Sequence, residues 1–310
     1  MRPTVCTAPF VLAGIALTLM SDEVRAQDGG GPWFKRTDVQ GLLSSYADST
    51  ERDALQNFGV FLRADYLERG GFTIGVNRTV LNGGPGLEDI NQSALFLSGR
   101  WNLTPDWASG QITLRLDAHS ISNDDATGDT DDITVLAPQV SYLNFARTFY
   151  ADIGFSRSSY GDSLTSPQKL DVDQVTPTLG FGFNEQRDWL QLRGYFISPS
   201  APQRAQNEDD TAALEIKWTH WPRTPSILNI DNFRVAVQTG ERIYTVDHDA
   251  GTIFNLVDLQ TGGVSIGAEW APSERNRILL IAGVEQYEDR FANEDYEHGF
   301  LYLNFTHEWN

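Results

Sequence analysis

Apolar and polar residues alternate along most of this chain with a period of two. In residues 111–121, QITLRLDAHSI, the even positions from 112 to 118 hold Ile, Leu, Leu and Ala, and the odd positions from 111 to 119 hold polar or charged residues. Side chains alternate between the two faces of a β-strand, whereas a helix repeats every 3.6 residues. The stretch therefore predicts a strand with one apolar face and one polar face.

The same alternation recurs along the rest of the chain and predicts an all-β fold. A pattern locates strand ends only to within about two to four residues, so counts of 12 and 16 strands also fit. We predict about 14 antiparallel strands, near residues 38–48, 54–68, 71–81, 91–103, 110–121, 131–145, 148–160, 171–184, 187–198, 210–221, 230–244, 256–270, 276–288 and 296–309.

The first 26 residues have the organisation of a cleaved secretory signal. An apolar run of 13 residues, from Ala8 to Met20, follows Arg2, and the small residue Ala26 stands where a signal peptidase would cut. The run is shorter than the roughly 20 residues that a helix needs to cross a bilayer. We predict an exported protein with a signal peptide over residues 1–26, a flexible periplasmic segment over 27–37 and a barrel over 38–310.

The polar face of the predicted strands favours a membrane barrel over a soluble one. It carries many ionisable side chains mixed with Gly, Ser and Thr, whereas the apolar face is almost free of charge. In an outer-membrane barrel the apolar face meets lipid and the polar face lines the interior. We therefore predict a transmembrane up-and-down barrel whose lumen is lined by Arg63, Asp65, Arg100, Arg115, Asp117, His119, Asp152, Arg193, Glu215, Lys217, Arg234, Arg242, Glu269, Glu285 and Glu308.

Tryptophans cluster near one end of the predicted strands. Aromatic residues form belts where a barrel meets the two membrane interfaces. The candidates for such a belt are Trp101, Trp107, Trp189, Trp218, Trp221, Trp270 and Trp309.

Short turns alternate with long connections, as they do in single-chain outer-membrane barrels, where the turns are periplasmic and the loops external. The chain has 42 Asp and Glu against 23 Lys and Arg, a net charge of −19 that excludes a nucleic-acid binder. The long connections together carry this whole charge of −19. An acidic external mouth of this kind concentrates cations.

The last strand resembles the assembly signal of Gram-negative outer-membrane β-barrel proteins. In residues 299–309, GFLYLNFTHEW, one face carries Leu301, Leu303, Phe305 and Trp309. Two departures from the family pattern are Asn310 after the final aromatic residue and His307 on the lipid side. The resemblance implies a location in the outer membrane and recognition by the barrel-assembly machinery. It also implies contact with lipid and lipopolysaccharide, as a monomer or a small homo-oligomer.

In its size, and in having no obvious plug, the chain is similar to monomeric porins and to small barrels associated with exopolysaccharide export (YaiO-type). These likenesses lead to two hypotheses. The first is a porin-like channel for passive diffusion of small hydrophilic solutes, and the second is a structural or polysaccharide-export-associated barrel. We adopt the first hypothesis, a porin-like channel, and expect its acidic mouth to favour neutral or cationic solutes. No cofactor is expected.

Two groups of residues are candidates for further chemistry. Asp117 and His119 resemble the Asp-x-His pair of omptin proteases, which also need a second acidic pair, and the alternative role is a salt bridge in the wall. A loop cluster of carboxylates presents oxygen ligands that hard cations take, although its spacing is not that of an EF-hand. We expect at most loosely bound Ca²⁺ or Mg²⁺ at Asp124, Asp125, Asp129, Asp131 and Asp132.

Overall fold

Fourteen antiparallel strands close into one barrel, as the sequence predicts. The computed structural model describes residues 33–67, 69–223, 230–248, 252–253 and 257–309; the predicted signal peptide lies outside them. No helix in this part of the chain is long and apolar enough to cross a membrane. The barrel strands are β1 (Trp33–Ala47), β2 (Arg52–Tyr66), β3 (Gly70–Gly83), β4 (Ile90–Leu103), β5 (Gly110–Asn123), β6 (Ile133–Asn144), β7 (Phe149–Ser159), β8 (Asp171–Phe183), β9 (Asp188–Pro199), β10 (Thr211–His220), β11 (Ile230–Arg242), β14 (Leu259–Ser273), β15 (Asn276–Asp289) and β16 (Glu294–Glu308).

Two elements lie outside the barrel sheet. The strands β12 (Val246–Asp247) and β13 (Thr252–Ile253) pair only with each other, and we call them the inner hairpin. A single turn of 3-10 helix spans Pro202–Arg204. Both elements belong to long connections at the end of the barrel away from the chain termini, which is the external end in this class of barrel.

The barrel closes where the first strand meets the last. Val39 of β1 lies opposite Val60 of β2 on one side and opposite Phe305 of β16 on the other. This double pairing leaves β1 and β16 without a free edge, which is the condition for a sheet to span lipid.

Strand β1 begins earlier than the sequence predicts. It starts at Trp33, so residues 33–37, which we assigned to a flexible segment, are part of the barrel. Trp33 pairs with Tyr66 across the sheet, and its ring contacts Tyr66 and Phe72 edge to face. Such aromatic pairs stabilise the end of a strand, and alternation alone did not reveal them because residues 33–36 are two aromatic residues followed by two cations.

Large apolar side chains form the outer surface of the barrel. Leu43 and Ile266 are 60% and 63% exposed, whereas the inward-facing Val135 and Tyr195 are 0% exposed. A water-soluble surface would not present apolar residues on every strand. The outward face is therefore the lipid-facing surface, as the alternation predicts.

One tryptophan of the predicted belt turns into the barrel. Trp101 and Trp107 are exposed, as a belt requires. Trp189 instead lies over Gly180 and Gly182 of β8, and a Cβ atom at Gly180 would lie 2.5 Å from its indole ring. These inward glycines therefore make room for Trp189, which lies on the inward face of β9.

The interior differs between the two ends of the barrel. The external half contains apolar side chains from the wall, including Ile121, Ile133 and Ile197, packed against loop residues such as Leu170 and Tyr244. A second cluster, on the opposite side near the external end, joins Tyr46, Leu81, Tyr287 and Tyr296. The periplasmic half is lined by charged side chains, which form the site described next.

The orientation of the two faces can be tested at the centre of β14. An arginine in place of the outward-facing Ile266 is expected to destabilise the barrel by about 2–4 kcal/mol, the cost of a cation at mid-membrane on the lipid face. The adjacent Ser265→Arg variant places the same group inward, beside Ala236 and Gly283, and is expected to cost much less. Urea unfolding in lipid vesicles measures both values, and equal costs would contradict the assignment of faces.

Candidate functional site

An Arg-x-Asp pattern recurs on three strands of the periplasmic half of the wall. Residues two apart on a strand share a face, so each arginine reaches the aspartate that follows it. The Nε atom lies 2.8 to 2.9 Å from a carboxylate oxygen in every pair. The pairs are Arg36–Asp38 on β1, Arg63–Asp65 on β2 and Arg115–Asp117 on β5.

A fourth arginine, on β4, joins the pair on β2. Arg100 of β4 forms an ion pair with Asp65 of β2 across the intervening strand β3. The residue between them is Gly71, where a Cβ atom would lie 2.0 Å from Asp65 Oδ1. Glycine at this position therefore allows the ion pair to cross β3.

The opposite side of the periplasmic half carries a similar set of charges. Lys217 Nζ lies 3.4 Å from Glu215 Oε1 on β10, and Arg234 of β11 pairs with Glu269 of β14. The side chain of Lys217 is 29% exposed and that of Arg234 is 32% exposed. Because these side chains point inward, their exposure means that this half of the lumen admits water.

The predicted lumen residues nearer the external end are closely packed. Arg242 donates to Gln260 at 2.6 Å and stacks on the ring of Tyr195. Glu285 accepts hydrogen bonds from Tyr287 and from His298 Nδ1, at 3.0 and 2.9 Å.

Two predicted lumen carboxylates stand apart from these networks. Asp152 of β7 is only 8% exposed, and neither carboxylate oxygen has a hydrogen-bond partner among the described residues. Glu308, at the periplasmic end, lies opposite Arg36 in the β1–β16 pairing.

The inner hairpin is attached to the wall by polar contacts. The Gln174 side chain of β8 binds both backbone groups of Val246, accepting from its N–H at 3.0 Å and donating to its carbonyl at 2.7 Å. Arg193 of β9 lies 3.2 Å from the carboxylate of Asp247. The hairpin connects β11 to β14, yet it contacts strands two and three places along the barrel, so it lies against the inner wall.

A glycine in the wall accommodates the end of this hairpin. His248 packs over Gly154 of β7, where a Cβ atom would lie 2.8 Å from His248 Nε2. The same Nε2 lies 3.3 Å from the carbonyl of Phe155. Burial lowers the pKa of the His248 imidazole, so the docked side chain is neutral.

A second connection covers the external mouth. Arg204, in the β9–β10 connection, is buried and donates to the carbonyls of Gln168 and Asp129 at 3.0 and 2.9 Å. Its own carbonyl accepts the Tyr244 hydroxyl. Arg204 therefore ties the β5–β6, β7–β8 and β11–β14 connections to its own.

Gln206 extends this cover to the far side of the barrel. Its side chain is 1% exposed, donates to Asp289 at 3.2 Å and accepts from the backbone N–H of Arg290 and Phe291 at 2.7 and 3.1 Å. Arg290 in turn pairs with Glu208. We call residues 200–210 together with the inner hairpin the plug.

The β11–β14 connection has a further anchor on the β2 and β16 side. Asp258 Oδ2 lies 2.5 Å from Arg52 Nη1 and accepts the Tyr296 hydroxyl at 2.7 Å. With this contact, the connections reach both sides of the mouth. The sequence showed no obvious plug, but the connections form one, because their buried polar groups find partners inside the barrel.

Four of the five aspartates of the β5–β6 connection, all except Asp132, accept hydrogen bonds from separate partners in the described ranges. Asp124 accepts from Asn91, Asp131 from Asn123 and Asp129 from Thr165. Among the residues the structure describes, no group of three or more His, Cys, Asp or Glu is placed to hold a metal ion.

The pKa of Asp125 follows from the same loop geometry. Burial raises it, but hydrogen bonds from Thr127 and Thr130 outweigh burial and hold the pKa below its usual value. Asp125 therefore stays ionised and orders the loop.

The Asp117 and His119 pair has the surroundings of a wall contact. Both carboxylate oxygens of Asp117 are engaged by Arg115, at 2.8 and 2.7 Å. His119 is buried with its ring 4.8 Å from that of Phe96. Within the described residues no hydrogen bond joins His119 to Asp117, so the imidazole is not oriented by that carboxylate.

Sequence reasoning missed the residues that close the lumen. Arg204, Gln206 and Asp258 lie in connections without periodicity, and Gln174 was one polar residue among many on β8. One signal was present for His248, the sequence Asp-His-Asp in a loop. It carried no information about which wall residue the histidine would meet.

Docking of the inner hairpin can be tested at Gly154. A Gly154→Leu side chain would overlap His248, and overpacking typically costs about 1–3 kcal/mol, which raises the undocked fraction roughly five- to hundredfold. A Val246→Cys reporter, buried in the docked state, measures this through its labelling rate with a hydrophilic thiol reagent, in a Cys6→Ser background. Gly99→Leu is the control, since nothing lies within 4 Å of a Cβ atom there. Equal rates in both variants would show that His248 does not hold the hairpin.

Acidification is expected to loosen the same hairpin. Because burial lowers the pKa of His248, docking is fully favourable above the ordinary histidine pKa of about 6.5 and weakens as pH falls below it. Labelling of Val246→Cys, normalised to the exposed reference Leu164→Cys, should rise between pH 7.5 and pH 5. His248→Gln should abolish the rise; persistence would assign it to the other ionisable groups nearby, which are Asp117, His119, Arg193 and Asp247.

Comparisons with known proteins agree on the fold. No protein-family model matches the sequence, and no curated protein matches it. The monoaromatic hydrocarbon channel CymD is a similar solved structure, with a TM-score of 0.52, 8% identity, and coverage of 90% of this chain and 89% of that chain. A deletion mutant of TodX, also a monoaromatic hydrocarbon channel, has a TM-score of 0.50 at 10% identity over 90% of this chain and 91% of that chain.

The outer membrane protein Omp33 of Acinetobacter baumannii is also similar, with a TM-score of 0.46, 9% identity, and coverage of 89% of this chain and 99% of that chain. At such low identity these likenesses concern architecture. The architecture that this chain shares with CymD and TodX is a closed antiparallel β-barrel, here with an apolar outer surface of the kind that faces lipid.

Proposed function

We propose that this protein is an outer-membrane channel for small hydrophilic solutes, open to the periplasm and closed at its external mouth by the plug. The observation that carries the proposal is the contrast between the two halves of the lumen. Inward cations such as Arg63 and Arg234 keep a quarter to a third of their side chains exposed, at 25% and 32%, whereas Tyr195 and Leu259 in the external half are 0% exposed. A wall of water-exposed ion pairs suits the passage of polar solutes.

The contacts of the inner hairpin with the wall favour a plug that can withdraw. Gln174, Arg193 and His248 hold the hairpin through hydrogen bonds and an ion pair, which water can replace when the hairpin leaves. If the plug served only to stabilise the fold, apolar contacts throughout would stabilise it at least as well as buried polar pairs. Withdrawal of the hairpin would join the water-filled half to the mouth.

The solute preference proposed from the charge distribution is for neutral or cationic molecules. Glu51, Glu88 and Asp210 are exposed at the external end, where they raise the local concentration of cations. Farther inside, the carboxylate of Asp152 has no hydrogen-bond partner among the described residues. Both features disfavour anions on the path from the external mouth into the lumen.

The lipid-side partners are proposed from the outer surface. The closing strand presents four side chains that are each about 40–50% exposed, Leu301, Leu303, Phe305 and Trp309. They are therefore accessible for recognition by the barrel-assembly machinery. Lipopolysaccharide is the proposed neighbour at the external end, with loosely bound divalent cations bridging its phosphates to the acidic loops. Arg115 engages both carboxylate oxygens of Asp117, which favours a channel over a hydrolase.

Single-channel recording of the refolded protein in a planar bilayer tests the channel. The wild-type chain is expected to conduct rarely, and Gly154→Leu to give frequent steps, because the larger residue displaces the inner hairpin. Silence from both proteins, with folding shown by heat-modifiable migration on gels, would refute the channel.

A salt gradient in the same recordings tests selectivity. The reversal potential should favour cations, and combined Glu51→Gln, Glu88→Gln and Asp210→Asn substitutions should shift it toward zero. Glu185→Gln is the matched control, because Glu185 lies in a periplasmic turn.

A further inference from the structure

A cavity lies on the external side of the plug. It has a volume of about 560 Å³ and is lined by residues of five different external connections, and we call it the mouth pocket. Its volume falls in the range typical of small-molecule sites, about 300–1,000 Å³. Its lining includes Asp129, Thr165, Gln203, Arg204, Val257 and Phe291.

The charged groups of the mouth pocket neutralise each other. Arg204 Nε lies 3.7 Å from Asp129 Oδ1, and the arginine side chain is 2% exposed. The remaining guanidinium nitrogens donate to the backbone carbonyls of Gly161, Gln168 and Asp129. A ligand in this pocket meets no unbalanced charge, which disfavours both anions and cations relative to neutral molecules.

The polar groups left for a ligand are carboxamides and hydroxyls. Gln168 and Gln203 both line the cavity and are exposed, and Thr165, whose hydroxyl hydrogen is donated to Asp129, adds an acceptor oxygen. A carboxamide presents two donor hydrogens and one acceptor oxygen, and a hydroxyl acts in both roles. Such a lining matches a ligand that carries several hydroxyl groups, because each ligand hydroxyl needs both a donor and an acceptor.

An aromatic ring stands at the edge of the same cavity. Phe291 is 53% exposed although its turn is fixed from inside, where its backbone N–H donates to the buried Gln206 at 3.1 Å. Val257 adds a second apolar contact. An exposed ring on a hydrogen-bonded backbone, beside amide groups, is suited to a molecule with an apolar C–H face and polar edges.

We infer that the mouth pocket binds a neutral mono- or disaccharide at the external face of the plug. A sugar ring combines hydroxyl edges with C–H faces, carries no charge and fits the volume. As the entry site of a transported solute, the inference rests on the proposed channel function; as a binding site, it does not.

Calorimetric titration of the full folded chain tests the inference. The probes are glucose, maltose and sucrose, with lysine and glutamate as charged comparisons, in lauryldimethylamine oxide micelles, which contain no sugar. At least one of the three sugars is expected to bind, and neither amino acid is expected to bind more tightly. Phe291→Ala should weaken sugar binding roughly two- to tenfold, the size of an aromatic stacking contact.

Phe145→Ala is the matched control, since Phe145 is also exposed, at 65%, but lies in a periplasmic turn. Gln203→Ala, another exposed residue, should also weaken binding. Absence of binding by all three sugars, tighter binding of lysine or glutamate, or affinity unchanged in both pocket variants would each overturn the inference. If the protein conducts but binds no sugar, only the sugar-binding inference is refuted. If it binds sugar but never conducts, only the proposed channel function is refuted.

Discussion

The structure depends on one constraint, that every backbone hydrogen-bonding group within the membrane has a partner inside the protein. Each barrel strand meets it by pairing on both sides, and the pairing of β1 with β16 completes the ring. Closure in turn divides every strand into an outward and an inward face. The apolar outer surface and the charged wall are consequences of this division.

A ring of fourteen strands is too wide for its wall side chains alone to fill, and the protein treats the two halves of the lumen differently. In the periplasmic half, arginines and carboxylates pair along the wall and leave the centre to water. In the external half, the connections fold inward and bring their own apolar residues, such as Leu170 and Tyr244, to the apolar part of the wall. The closure is therefore built from loops on a preformed barrel.

Glycines in the wall determine where these contacts form. Gly71 lets Arg100 reach Asp65 across a strand, and Gly154 provides the place for His248. In both cases a missing Cβ atom allows a charged or polar group to approach the sheet closely. The same device positions Trp189 over Gly180, so inward glycines here hold specific side chains rather than widen the lumen.

The sequence alone determined the strand number, the alternation of turns and loops, and the face of each strand, because the two-residue period and membrane burial act on every strand locally. It did not reveal that β1 begins at Trp33, since aromatic pairing with Tyr66 supports those residues. It also could not place the plug. Arg204, Gln206 and His248 find partners more than 35 residues away, and only the closed barrel brings those partners together. Periodicity describes neighbours along a strand, whereas the closing of the lumen depends on contacts across it.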